Sequence, residues 1–93
     1  MMFYVSILRS LVDGTLYTGQ TNDLAGRLKR HNRGAIKSTK AKAPYELVYF
    51  EVFPTRAEAM HREWELKTKW NTERKKKIIA QFDKSILTQV PGL

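Results

Sequence analysis

The chain has 93 residues and no cysteine, with 17 Lys plus Arg against 9 Asp plus Glu and a formal charge of +8. That length supports one domain with a single small core, and the missing thiols exclude disulfides and thiolate metal sites. The charge points to an anionic partner, nucleic acid before an acidic membrane surface. No apolar run approaches the roughly 20 residues of a membrane span, and the N-terminus lacks the basic start and small-residue cleavage site of a signal peptide. A cytoplasmic protein with no membrane attachment is expected.

Phe3 to Leu8 is almost continuously apolar or β-favouring and reads as a buried strand. Asp13-Gly14 is a strong turn signal, and Leu16 to Gln20 follows as the second arm of a hairpin. Thr21 or Asn22 is the expected cap of a helix running to His31, which Gly26 weakens and Gly34 ends. Ala35 to Ala43 reads as an exposed basic loop closed by Pro44. Tyr45 to Phe53 is the clearest strand, rich in aromatic and β-branched residues. Thr55 to Glu58 is a capping box opening a helix that extends to Trp70. Asn71 or Thr72 starts a third helix, amphipathic through Ile78, Ile79 and Phe82. After Asp83 the pattern fades. The expected organisation is one domain over residues 1–82 and a partly disordered tail over 83–93. The order strand, strand, helix, strand, helix, helix gives an α+β domain, a three-stranded sheet covered by helices.

Within that frame, Glu63 is out of place. At about 100° per residue, Ala59, Leu66 and Trp70 share one helical face with Glu63 at its centre. A carboxylate is costly to bury without a cation or a metal. In a basic chain, an inward carboxylate suggests a divalent ion and a phosphate substrate; the plainer reading is a partly exposed Glu paired with a neighbouring Lys or Arg. Tyr17-Thr18-Gly19 places a phenol beside backbone that a ligand can approach. Arg27 and His31 are four residues apart, neighbours on one helix face at the border of the Leu24 and Leu28 stripe. Arginine suits bidentate phosphate contact and histidine donates protons or hydrogen bonds near neutral pH. The loop cations Lys37, Lys40 and Lys42, with Arg30 and Lys67, are candidates for tracking a phosphate backbone.

Taken together, Leu16-Tyr17-Thr18-Gly19-Gln20-Thr21-Asn22-Asp23-Leu24, Arg27-Leu28, His31-Asn32, Tyr45-Glu46-Leu47-Val48-Tyr49 and Glu58-Ala59-Met60 with Arg62-Glu63 resemble the GIY-YIG nuclease domain over residues 3 to 80. The likeness is closest to small stand-alone bacterial members related to the UvrC catalytic domain. It implies a three-stranded antiparallel sheet flanked by helices. It also implies hydrolysis of DNA phosphodiester bonds, with branched or damaged DNA among the substrates and a single Mg²⁺ or Mn²⁺ as cofactor. By the same resemblance, Tyr17 is the general base or the group that orients water, Glu63 holds the ion and Arg27 meets the phosphate charge. His31 lies beside Tyr17 and assists proton transfer, while Gly19 lets the DNA backbone approach. A phenol works as a base only where nearby cations or metal-bound water stabilise its phenolate.

One departure stands out. The first motif of the family ends in a Tyr eleven residues before Tyr17, where this chain has Ser6. Tyr4 is two residues earlier, on the same strand face, and is the candidate substitute. The expected function is therefore a metal-dependent DNA endonuclease with activity reduced at its first motif. The alternatives are a catalytically inactive nucleic-acid-binding module and a domain whose basic face meets an acidic protein or membrane.

Overall fold

The structure, a computed structural model, describes residues 1–90 and 92–93. Three strands form one antiparallel sheet: β1 (Phe3–Ser10), β2 (Leu16–Thr21) and β3 (Tyr45–Phe53). Their order is β2-β1-β3, so β1 is central and β2 is an edge. The expected α+β architecture and element order are both present. The hairpin turn sits where Asp13-Gly14 predicts it. Gly14 takes a φ of 78°, a left-handed conformation that favours glycine, and Asp13 Oδ1 accepts from the Thr15 amide at 3.0 Å.

Alternation along β1 splits the core between the two sheet faces. Leu8 packs on one face with Leu24, Tyr45 and Leu47. That face is covered by α1 (Leu24–Asn32). Val5 packs on the other with Ala59 and Leu66 of α2 (Arg56–Thr68). Ile7 joins Val48 and Ile79 of α3 (Thr72–Gln81). The caps at Thr55 and Asn71 fall as the sequence predicts, their side chains accepting from the amides of Glu58 and Arg74.

Two local features differ from the expectation. The cap of α1 is Asp23, whose carboxylate accepts from the Gly26 amide at 3.0 Å, while Thr21 and Asn22 lie outside the helix. Thr21 instead closes the corner before it, accepting from the Asp23 amide at 3.0 Å. Second, the loop after α1 is not wholly exposed. Thr39 is buried within it, and a short 3₁₀ turn follows at Lys40–Lys42. Within the segment set apart as a tail, residues 83–93, of which 91 lies outside the described residues, a 3₁₀ helix forms at Lys84–Gln89 and Leu87 and Val90 pack against the Leu8 cluster. Among the described residues, no helix is long and apolar enough to cross a membrane.

Candidate active site

Edge strand β2 presents Tyr17 and Gly19 on the face that α1 covers. Tyr17 pairs with Leu8 and Gly19 with Ser6 across the β1–β2 ladder. The Arg27 guanidinium lies over Tyr17, its Cζ 5.4 Å from the ring centroid. It also fills the space above Gly19, where a Cβ would come within 2.5 Å of Cζ and 3.0 Å of Nη1. Gly19 is therefore needed to seat Arg27. The sequence reading gave this glycine to backbone approach by DNA; the structure gives the room to a side chain of the protein itself.

One helical turn on, His31 is completely buried. Its ring meets Tyr17 edge-on at 5.0 Å between centroids and Tyr45 at 5.6 Å. Burial, with Arg27 and Arg30 nearby, pushes its pKa down to about 4, so the imidazole is neutral near pH 7. Nδ1 lies 2.8 Å from the Thr39 hydroxyl. Arg27 is driven below its ordinary value by burial, and Tyr17 and the Glu63 carboxylate offset that shift. That influence of Glu63 links α2 to the group electrostatically; Glu63 stands between buried Ala59 and Leu66 on that helix.

Glu63 is not an isolated inward carboxylate. Its side chain is 23% exposed and its Oε2 lies 2.9 Å from Lys67 Nζ. This is the plainer of the two sequence readings, an i,i+4 pair on one helix. Lys67 is thereby engaged with Glu63 instead of standing free for DNA. Lys42 is engaged as well, 3.4 Å from Asp13 and donating to the Thr15 hydroxyl at 3.2 Å. Arg30, Lys37 and Lys40 are exposed, and Lys40 packs its methylenes near Gly34.

The two first-motif candidates are placed differently along β1. Ser6 is fully buried, and its Oγ donates to the Gly19 carbonyl at 3.4 Å. Tyr4 pairs with Thr21, four positions along β1 from the partner of Tyr17, or about 13 Å at strand spacing. Its ring packs against Phe50 at 6.0 Å between centroids.

Thr39 is the residue that the sequence reading missed. Surrounded by Lys37, Ser38, Lys40 and Lys42, it carries no periodic signal of burial. Among the described residues, the buried side-chain polar atoms without a partner are Thr18 Oγ1, Gln20 Oε1, Arg27 Nε and His31 Nε2. All four lie on β2 and α1. Arg27 Nε and His31 Nε2 lie on the Tyr17 side, whereas Thr18 and Gln20 alternate onto the opposite face of β2; native interiors leave few such atoms.

The chain resembles known proteins over most of its length. The family model for the GIY-YIG catalytic domain matches residues 2–77. A UPF0213 protein of Staphylococcus saprophyticus is 44% identical over 70 residues, covering 74% of this chain and 84% of that one. A UPF0213 protein of Staphylococcus aureus is 43% identical over the same coverage. The solution structure of a UPF0213 protein from Bacillus halodurans superposes with a TM-score of 0.55 at 36% identity, covering 87% of this chain and 85% of that one. With residues 2–77 matched by the family model, and Tyr17, Gly19, Arg27 and His31 gathered on one edge of its sheet, the chain belongs to the GIY-YIG catalytic domain family.

Proposed function

We propose that this chain is a metal-dependent endonuclease acting on DNA phosphodiester bonds at the β2 edge. The observation that carries the reading is the Arg27 guanidinium seated over Gly19 and Tyr17, with Arg27 Nε and the neighbouring His31 Nε2 buried and unpartnered. A merely structural cluster would satisfy those atoms internally.

Arg27 binds the scissile phosphate. Its position over Gly19 holds the guanidinium in one place, so little reorganisation is needed as charge develops. Tyr17 orients or deprotonates the attacking water. His31, neutral and in edge contact with Tyr17, takes up the proton. Arg30, Lys37 and Lys40 hold the flanking backbone, which gives affinity without sequence preference.

Glu63 suits a divalent ion. It is a single carboxylate, it is only half-buried, and its present partner is a half-exposed lysine that a doubly charged ion would displace. A magnesium or manganese ion held by one carboxylate keeps several waters and open positions, and so supplies Lewis acidity and bound water. A second reading, a nucleic-acid-binding module without turnover, is favoured by one observation: Ser6 is buried against Gly19 and offers no phenol to the site.

Nicking of supercoiled plasmid and cutting of branched DNA, each with Mg²⁺ or Mn²⁺, separates the two. Cleavage by the wild-type chain, lost in Arg27→Ala, supports the nuclease. Binding without cleavage under every condition supports the module.

A further inference from the structure

We infer that Thr39 is a positioning residue: its hydroxyl holds His31 as the tautomer protonated at Nδ1, leaving Nε2 as a bare proton acceptor on a ring packed against Tyr17.

Thr39 Oγ1 has one hydrogen and two candidate acceptors. It lies 3.3 Å from the Ile36 carbonyl and 2.8 Å from His31 Nδ1. If the hydroxyl donates to Ile36, its lone pair receives Nδ1–H, and Nε2 carries no hydrogen. If the hydroxyl donates to Nδ1, the hydrogen of the neutral ring sits on Nε2, which is buried and without a partner. An orphaned buried N–H is rarer in native interiors than an under-used acceptor. The first arrangement therefore satisfies more of the site. A ring nitrogen's state is set by the bond that the other nitrogen makes, so fixing Nδ1 fixes Nε2.

Thr39 is itself held firmly enough for this role. It is 3% exposed. Its carbonyl accepts from the Tyr45 hydroxyl at 3.2 Å and from the Lys42 amide at 3.2 Å, and its amide donates to Ile36 at 3.1 Å. The basic loop is thus folded around a threonine that points back at α1. The tautomer stands on these contacts alone; its use as a proton acceptor rests on the nuclease reading above.

The test is a long-range proton–nitrogen correlation spectrum of the ¹⁵N-labelled full chain near pH 7, with His31→Gln to tell His31 from exposed His61. The expected spectrum has a pyrrole-type nitrogen at Nδ1 and a pyridine-type nitrogen at Nε2. Thr39→Val keeps the shape and removes the hydroxyl; it should abolish that preference and lower kcat about tenfold or more with little change in KM, as losing the partner of a functional imidazole does. Thr39→Ser should restore both. A wild-type spectrum with the hydrogen on Nε2 overturns the inference, as does a Thr39→Val spectrum unchanged from wild type. If Thr39→Val fails to fold, the wild-type spectrum decides, and Thr39→Ser must reproduce it. A wild-type chain with the expected tautomer and no cleavage with either metal refutes the nuclease reading and leaves the assignment of Thr39 standing.

Discussion

The Arg27 guanidinium occupies the volume that any side chain at position 19 would need. The segment Tyr17-Thr18-Gly19 therefore does two jobs here: Tyr17 supplies a phenol, and Gly19, two residues on, supplies the seat for Arg27. Because the colliding atoms are the end of a flexible side chain, Gly19→Ala displaces Arg27 rather than the backbone. The fold should survive with a Tm within a few degrees of wild type, while cleavage falls about a hundredfold, near the loss seen when one preorganised donor is removed. Circular dichroism melts and a nicking assay on the same preparation check this.

DNA binding should weaken steeply with salt, because cations on the protein release condensed counterions. Lys37→Ala with Lys40→Ala should weaken binding to all sequences alike and flatten the salt slope. Lys42→Ala should do so less, since Asp13 already engages that ammonium. Fluorescence anisotropy across a salt series gives the slopes; a change in sequence preference would contradict the backbone role.

Acid should destabilise the fold through His31. Its folded pKa is about 4 against an ordinary 6.5, so between those values the unfolded chain binds the extra proton. Stability is therefore full above pH 6.5 and falls as pH drops toward 4, by about 3 kcal/mol at most. Urea melts at pH 7 and pH 4.5 should show a smaller loss for His31→Gln than for wild type. Equal losses would mean that the imidazole is charged in the native state.

Much of this fold was legible because periodicity reports burial. The bounds of β3 and the caps Thr55 and Asn71 follow from β-branched runs and capping residues. The i,i+4 spacing of Arg27 and His31 likewise placed them on one helix face, and both turn toward Tyr17. What escaped was set by contacts between distant segments. Thr39 is buried by His31 and Tyr45 from outside its own loop. Leu87 and Val90 find a core cluster that their local sequence does not announce. Glu63 sat on the predicted stripe, but helix geometry alone could not choose between an inward ion and Lys67.

Ser6 is expected to contribute little to either stability or turnover. Its hydroxyl makes one long hydrogen bond, 3.4 Å to the Gly19 carbonyl, from a fully buried position. Ser6→Ala should change stability by no more than about 1 kcal/mol and leave cleavage unaltered. Chemical denaturation and initial rates measure both; a large loss of rate would place the hydroxyl in the reaction.

Glu63 is the point on which the account turns. Its pair with half-exposed Lys67 is worth about 0.5 kcal/mol or less, so Glu63→Gln should melt near wild type. The deciding measurement is nicking of supercoiled plasmid with Mg²⁺ or Mn²⁺ by wild type and Glu63→Gln, with DNA affinity measured in the same buffer. The expected result is cleavage by wild type, none by Glu63→Gln, and near-equal affinity. Cleavage by Glu63→Gln at the wild-type rate would contradict the account.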